Sequence, residues 1–170
     1  MIAGLNRPAP IYDPGKGLLH NDHFQVAYVT DDLERAVAVF RERFGVGSFR
    51  ESDAELESGA TIRLRVAWIG AMAYEIICAT GPGMELYTEW LPENGSVLRH
   101  HHFGFLVADE PSWAALEREI ARAGVRVRKR SDTPGFGRTV YVEVPELGHC
   151  LEYIMPGPGL LERLNATPAW

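Results

Sequence analysis

Two stretches of the chain alternate bulky apolar residues with smaller or polar ones, and a helical pattern follows each of them. Residues 24–30 (FQVAYVT) and residues 102–107 (HFGFLV) have the two-residue period of a β-strand. After the first, apolar residues recur with helical spacing and stop at a glycine, at Leu33, Val37, Phe40, Phe44 and Gly45. After the second, the same pattern recurs at Trp113, Leu116, Ile120 and Gly124. The sequence therefore predicts a strand and then a helix at the start of each half.

Further strands are predicted in the remainder of each half. In the first half, residues 60–69 and 72–79 form an antiparallel pair across Gly70. In the second half, the predicted strands cover residues 125–129, 138–144 and 149–155. A half of this kind is too small to bury its own sheet, so we expect the two halves to join side by side. The expected α+β fold has a continuous curved sheet, with helices on the outer face and a cup on the inner face.

The segments outside these patterns are less regular. The first 21 residues include a stretch rich in Pro and Gly, which predicts an extended arm. Residues 80–97 contain Gly, Pro and Asn together with Tyr87 and Trp90, so this segment is either a linker or a loop on the substrate side. Residues 157–170 form a C-terminal tail with one short apolar helical piece.

A constant spacing relates polar residues of the two halves. The spacing is 77 residues in three pairs: Gln25 and His102 (102 − 25), Glu75 and Glu152 (152 − 75), and Asp32 and Asp109 (109 − 32). The first two pairs contain side chains that can ligate a metal. A repeat with no net insertion is hard to produce by chance, so it indicates where a functional site is to be sought.

Strand alternation predicts which residues face the cup. The bulky apolar residues of both first strands are expected to pack beneath the helices, namely Phe24, Val26, Tyr28, Phe103, Phe105 and Val107. Gln25 and His102 then face the cup. Glu75 and Glu152 lie between large apolar neighbours, where an unpaired carboxylate is costly to bury. A shared cation would remove this cost, and one imidazole, one amide and two carboxylates suit Zn, Ni, Co, Mn or Fe.

Two alternatives to this ligand set remain open at this point. A bulge or register shift in the first strand would place His23 at the metal instead of Gln25. Arg63, Arg65 or another basic residue would neutralise the glutamates in place of a metal, because ion-pair networks commonly explain such carboxylates.

Three consecutive histidines precede the second repeat. Only His102 matches the 77-residue spacing. His100 shares the parity of His102 and is expected at the rim of the cup, whereas His101 is expected to point away from it.

Composition narrows the class of protein. The net charge of −6 argues against nucleic-acid binding, which needs clustered Lys and Arg. The short basic run at residues 126–130 is interpreted as a solvated strand edge. Two cysteines, Cys78 and Cys150, without CxxC spacing fit a reducing cytosol, so a cytoplasmic location is expected. No apolar run has the length of a membrane helix and no secretory signal is recognised, so no membrane partner is expected.

The repeated motif resembles that of a known superfamily. The motif of the first half is Gln25-x6-Asp32-Leu-Glu-Arg-Ala36, and it recurs in part at His102-x6-Asp109. It is similar to the motif of the vicinal oxygen chelate superfamily, which includes glyoxalase I, methylmalonyl-CoA epimerase, extradiol dioxygenases and bleomycin-resistance proteins. The resemblance covers residues 22–156. It implies two βαβββ modules, at 22–92 and 98–156, within a single domain between the arm (1–21) and the tail (157–170). It also implies metal ligands at the first and last strand of each module: Gln25, Glu75, His102 and Glu152, a set similar to that of zinc-using glyoxalase I.

The resemblance also implies a chemistry. A metal-dependent isomerase or lyase of the glyoxalase or epimerase type would form an enolate from a small carbonyl compound with an apolar portion, with Glu152 as the base and Glu75 as its counterpart on the opposite face. A metal-free small-molecule-binding or resistance protein is the alternative. A third possibility is an Fe(II) extradiol-type dioxygenase, which needs two His and one carboxylate. The arm and the apolar tail are consistent with a homodimer, an arrangement that occurs in this superfamily.

Overall fold

A computed structural model describes residues 12–170 of the chain. Within this range the first half contains β1 (Asp22–Val29), α1 (Leu33–Phe44), β2 (Arg50–Glu55), β3 (Thr61–Ile69), β4 (Met72–Thr80) and the short helix α2 (Glu85–Thr88). The second half contains β5 (Arg99–Leu106), α3 (Glu110–Ala123), β6 (Arg126–Thr133), β7 (Gly137–Val144), β8 (His149–Pro156) and α4 (Pro158–Asn165). The two halves therefore repeat the same order of one strand, one helix and three strands.

All eight strands belong to one mixed sheet, in the order β2-β3-β4-β1-β5-β8-β7-β6. The first strands of the two halves, β1 and β5, pair antiparallel at the centre. The last strand of each half lies parallel to its own first strand, so β4 flanks β1 and β8 flanks β5. This arrangement confirms the predicted α+β fold of two βαβββ modules. It also brings the four strands that carry the predicted ligands side by side.

The two long helices begin and end where the repeat predicts. The carboxylate of Asp32 accepts a hydrogen bond from the Arg35 amide at 3.0 Å, and that of Asp109 accepts one from the Ser112 amide at 2.9 Å. Each therefore caps the N-terminus of its helix by satisfying a free backbone donor. Gly45 and Gly124 end the helices with φ of 73° and 65°, a conformation that favours glycine.

The outer face of the sheet is covered by these helices. Apolar residues of α1 pack against the outward side chains of β4, including Ile76. Residues of α3 pack against Phe105, Leu151 and Tyr153 of β5 and β8. The other face of the sheet forms a concave surface, and α4 of the C-terminal tail packs at its edge through the buried Leu160.

The strand β2 is not among the elements predicted from the sequence. Its residues, RESDAE, lack the apolar alternation that marks a half-buried strand. It lies at the edge of the sheet, where ion pairs support it: Asp53 accepts from Arg65 at 2.5 Å and lies 3.5 Å from Arg63. Charged side chains on an edge strand also discourage pairing with other chains.

The two chain ends pack on this domain to different extents. Residues 1–11 of the predicted arm lie outside the described residues, while Tyr12 accepts a hydrogen bond from the Ala108 amide at 2.7 Å. In the tail, the Trp170 amide donates to the Trp68 carbonyl at 2.9 Å, and Gly47 faces the Trp170 ring. None of the helices within residues 12–170 has the length and apolar character needed to cross a membrane.

Candidate functional site

The four side chains predicted as ligands converge on the inner face of the sheet. Gln25, Glu75 and Glu152 line a cavity of about 210 Å³, and the fully buried His102 lies beside it. His102 Nε2 is 3.0 Å from Glu152 Oε2 and 3.9 Å from Glu75 Oε2. The four residues come from β1, β4, β5 and β8, the adjacent central strands of the sheet. The cavity therefore joins one nitrogen donor and three oxygen-bearing side chains from both halves.

A bulge in β1 determines which of its residues reach the cavity. The pairing of β1 with β5 shifts between His23 and Gln25, so the alternation of faces is broken there. Phe24 lines the cavity beside Gln25 instead of packing beneath a helix, so its predicted position is wrong. His23 contacts Phe103 and Phe105 and approaches the Gln25 carbonyl oxygen at 3.1 Å. His23 therefore lies toward the outer face, away from the cavity that Gln25 lines.

A second shift, opposite residues 100–102, reverses the predicted orientation of two histidines. His101, expected to point away, is fully buried beside His102. His100, expected at the rim of the cup, contacts Tyr28, Phe103 and His149 instead. Both predictions are wrong for one reason: the extra residue of a bulge changes the face on which its neighbours lie.

Hydrogen bonds around His101 fix the tautomer of His102. His101 Nε2 lies 2.8 Å from the carbonyl oxygen of Leu86, and only a protonated nitrogen can donate to a carbonyl. Burial lowers the pKa of both His101 and His102 to about 3, so both rings are neutral. His101 Nδ1 is then unprotonated and accepts from His102 Nδ1–H at 2.7 Å. The consequence is that His102 Nε2 carries a free lone pair directed toward the two carboxyl groups.

Both carboxyl groups are held in an environment that disfavours their charged form. Burial raises the pKa of Glu75 to about 8, the charge of Glu152 adds to this effect, and Arg50 opposes it. Burial raises the pKa of Glu152 to about 7, against the influence of the Tyr141 hydroxyl and Lys129. Two buried carboxylates this close to each other repel, and a cation between them would favour their ionised form.

Arg63 and Arg65 do not supply that cation. Arg63 pairs with Glu34 at 2.6 Å, and Arg65 pairs with Asp53 at 2.5 Å and with Glu51 at 3.2 Å. Both guanidinium groups are therefore engaged with acidic side chains other than Glu75 and Glu152. Of the other basic residues, Arg50 opposes the raised pKa of Glu75 and Lys129 opposes that of Glu152, although burial is the larger influence on both.

The residues at the cavity fit a divalent metal ion. No group of three or more His, Cys, Asp or Glu side chains within residues 12–170 forms a preassembled metal cluster. However, Gln25 Oε1 and His102 Nε2 are both buried without a hydrogen-bond partner. Buried polar atoms are nearly always satisfied, so two such atoms beside a pair of carboxyl groups require an explanation. One imidazole nitrogen with amide and carboxylate oxygens is a donor set that suits Zn²⁺ and related ions.

Several residues at the site were not found from the sequence. Tyr141 of β7 lines the cavity next to Glu152, and Gly104 of β5 leaves the space that Gln25 occupies. A glycine inside a strand commonly marks a close approach of another group, so its position between Phe103 and Phe105 was an available signal. The orientation of His101 had no such signal, because it depends on a bulge.

Comparisons with known proteins place this architecture in a family. The family model of the Glyoxalase/Bleomycin resistance protein/Dioxygenase superfamily matches residues 22–152. The chain belongs to this superfamily. The match confirms the resemblance to the vicinal oxygen chelate proteins that the repeated motif indicates. No curated protein sequence matches this superfamily member.

Solved structures of methylmalonyl-CoA epimerases share the fold of this superfamily member. The epimerase from Mycobacterium tuberculosis has 15% sequence identity and a TM-score of 0.57, over 86% of this chain and 95% of that one. A variant of the Streptomyces coelicolor epimerase, in complex with 2-nitronate-propionyl-CoA, has 20% identity and a TM-score of 0.54, over 80% of this chain and 97% of that one. At these identities the likeness shows the fold alone, so the chemistry must be argued from the cavity.

Proposed function

We propose that this protein is a metal-dependent isomerase or lyase of the glyoxalase or epimerase type. It would act on a small carbonyl compound with an apolar portion and move a proton next to the carbonyl through an enolate. The proposal is supported most by one observation: the buried, unprotonated Nε2 of His102 lies 3.0 Å from Glu152 and 3.9 Å from Glu75, two glutamates with raised pKa values.

The four inward side chains would hold the metal: Gln25, Glu75, His102 and Glu152. A divalent ion bound there would supply Lewis-acid stabilisation of the oxygen that becomes negative in the enolate. His101 keeps the lone pair of His102 Nε2 available for this role through its Nδ1 hydrogen bond.

The two glutamates would transfer the proton. A general base must be deprotonated when it receives the proton. In the metal-free protein burial raises the pKa of Glu152 to about 7 and that of Glu75 to about 8, and a cation bound beside them would favour the deprotonated form of each. We assign Glu152 as the group that removes the proton and Glu75 as its counterpart on the other side of the substrate.

The wall of the cavity suits the apolar portion of the substrate. Apolar side chains from several strands surround the carboxyl groups, among them Phe24, Leu64, Val66, Ile77 and Ile154. Such apolar residues would limit the access of water to the reacting atoms. Exclusion of water strengthens the electrostatic interactions inside the site.

The other two candidate functions have less support. A dioxygenase of the extradiol type needs a second histidine at the iron. His23 is directed away from the cavity, and both ring nitrogens of His101 are engaged, with His102 and with Leu86. A metal-free binding protein has no need of two buried glutamates beside an unpartnered histidine nitrogen, whose burial costs stability.

Two measurements test the proposed function together. Elemental analysis of protein supplemented with Zn²⁺, Ni²⁺, Co²⁺ or Mn²⁺ should find about one bound ion per chain, in accordance with a single shared donor set. NMR in D₂O should then detect exchange of the α-proton in a panel of 2-oxo compounds and acyl thioesters.

The matched variants are Glu152→Gln and Glu119→Gln. Glu119 is also a buried glutamate, but it lies on α3 and pairs with Arg122. Glu152→Gln should lower exchange by roughly 10²- to 10⁴-fold, while Glu119→Gln should not change it. A protein that binds no ion, or a Glu152→Gln variant with full exchange activity, contradicts the proposal. The predicted homodimer is tested separately, by light scattering of the same preparation.

A further inference from the structure

Three cationic side chains line the cavity that contains the candidate metal site. Arg50 comes from β2, Lys129 from β6 and Arg163 from α4 of the C-terminal tail. They belong to elements far apart in sequence, including both edge strands of the sheet. The fold therefore collects positive charge at one place in a chain whose net charge is −6.

These three cationic side chains have no acidic partner, unlike most of the other arginines among the described residues. Within residues 12–170, none of the three lies within ion-pair distance of a carboxylate, whereas acidic partners are present for Arg63, Arg65, Arg122, Arg128, Arg130 and Arg138. The contrast is clear on β6, where Arg128 and Arg130 are paired and the intervening Lys129 lines the cavity. The charge of Arg163 acts on Arg50, and an anion bound between two like charges relieves their repulsion.

Arg50 shows this cost most directly. It is half-buried, and its Nε donates to Thr167 Oγ1 at 3.0 Å, which orients the guanidinium group. Burial lowers the pKa of Arg50, and the charge of Arg163 acts in the same direction while Glu75 opposes it. Arg163, in turn, lies over the ring of Phe136 at 5.7 Å from its centroid. Both guanidinium groups are therefore held at the cavity by contacts that leave most of their N–H donors available.

Apolar side chains share the cavity with these cations and with the carboxyl groups. Phe136 and Leu160, together with Ile62 and Leu164, line it. A ligand that fills this space would meet the carboxyl groups of Glu75 and Glu152, apolar side chains and these cationic groups within one cavity.

We propose that Arg50, Lys129 and Arg163 bind an oxyanion, a carboxylate or a phosphate, on a group of the substrate other than its reacting carbonyl. This inference rests on the proposed function and narrows the substrate class to anionic carbonyl compounds. Guanidinium groups present paired N–H donors that match the oxygens of a carboxylate or phosphate, and Lys129 adds a point charge. Arg163 is supplied by the tail, so residues 157–170 contribute to specificity.

Isothermal titration calorimetry with inorganic phosphate and with acetate tests this subsite without any turnover. The wild-type protein should bind at least one of the two probes saturably, and added NaCl should weaken that binding. Arg50→Met and Arg163→Met should each reduce the affinity by about tenfold. The probe that binds more tightly distinguishes a phosphate-bearing from a carboxylate-bearing substrate.

Two control variants make the result specific. Arg118→Met removes an exposed arginine on α3 that has no ion pair among the described residues, and it should leave the affinity unchanged. Arg35→Met removes an exposed arginine on α1 and should also leave the affinity unchanged. Circular dichroism verifies that each variant is folded. Absence of saturable binding, equal affinity in the wild type and Arg50→Met, or an equal loss of affinity in Arg35→Met would each overturn the proposal. Because no reaction is measured, these outcomes are independent of whether α-proton exchange is found.

Discussion

His101 Nδ1 and His102 Nδ1 lie 2.7 Å apart, on a strand where consecutive side chains normally point to opposite faces. The bulge in β5 brings both rings to the same side, and the Leu86 carbonyl oxygen holds the far nitrogen of His101 at 2.8 Å. This pair therefore determines which nitrogen of His102 faces the carboxyl groups. We regard His101 as a positioning residue for the metal site.

His101→Phe should weaken metal binding without removing a ligand. The phenyl ring fills similar space but cannot accept from His102 Nδ1, so the tautomer of His102 is no longer fixed. Loss of such a supporting hydrogen bond typically lowers metal affinity by roughly ten- to hundredfold. Calorimetric titration of Zn²⁺ into the apoprotein measures the change. The His101→Gln side chain can both accept and donate hydrogen bonds, so this variant should keep part of the affinity that His101→Phe loses.

His100→Phe is the matched control for this variant. His100 immediately precedes His101 but packs against Phe103 and His149, away from the cavity. The same substitution there should leave Zn²⁺ affinity and α-proton exchange unchanged. Equal Zn²⁺ affinities in the wild type and His101→Phe would show that the hydrogen bond has no role in the site.

Glu75→Gln should separate proton exchange from inversion of configuration. Its amide oxygen still reaches the cavity, but it cannot return a proton to the second face of the substrate. We therefore expect Glu152 to continue exchanging the α-proton, while interconversion of the two enantiomers falls by roughly 10²-fold or more. Deuterium incorporation and chiral chromatography on the same samples measure the two quantities. Equal loss of both would instead assign Glu75 mainly to metal binding.

The stability of the metal-free protein should fall as the pH rises. The ordinary pKa of a glutamate is 4.5, whereas burial raises that of Glu152 to about 7 and that of Glu75 to about 8. A carboxyl group whose pKa is higher in the folded than in the unfolded state stabilises the fold at a pH below its unfolded-state pKa. This stabilisation is lost as the pH rises through its folded-state pKa. The Tm of chelator-treated protein should therefore decrease between about pH 5 and pH 9.

The double variant Glu75→Gln, Glu152→Gln serves as the reference for that measurement. Neither amide titrates, so its Tm should depend less on pH over the same range. Added Zn²⁺ should raise the Tm of the wild type most at high pH, where both carboxylates are ionised and available as ligands. A wild-type Tm that rises with pH would contradict the assignment of raised pKa values.

The fold could be predicted from the sequence because two independent signals agreed. Helical stripes ended at Gly45 and Gly124, and Asp32 and Asp109, 77 residues apart, cap the two long helices. The repeat also predicts how the two halves are arranged, because each half needs the other to bury its sheet. The convergence of Gln25 and His102 with the two glutamates follows from the same symmetry.

Orientation within the central strands was predicted less well. The alternation rule assigns Phe24 to the outer face and His101 away from the cup, and both assignments are wrong because each strand contains an extra residue. A bulge has no apolar signature of its own. Strand β2 was missed for a different reason: an edge strand stabilised by ion pairs needs no apolar pattern. The cationic contribution of Arg163 depends on how the tail packs, which no local pattern records.

Gly104→Ala should displace Gln25 from the candidate metal site. Gly104 pairs with Gln25 across the bulge, and a Cβ at position 104 would lie 2.6 Å from Gln25 Oε1 and 2.8 Å from Gln25 Cβ. The Oε1 atom can move by rotation of the side chain, but the Cβ is fixed to the strand, so the strand itself must shift. Overpacking of this kind costs about 1–3 kcal/mol, and the Tm should fall accordingly.

The combination with Gln25→Ala shows whether the effect acts through Gln25. If Gly104 serves to make room for that side chain, Gly104→Ala and Gln25→Ala should each lower Zn²⁺ affinity, and the double variant should lose little more than Gln25→Ala alone. Residues in contact are expected to show such non-additivity, which a double-mutant cycle measures. If the losses of Zn²⁺ affinity are additive, Gly104→Ala has the same effect whether or not the Gln25 side chain is present. Gly104 would then affect the site by a route other than Gln25.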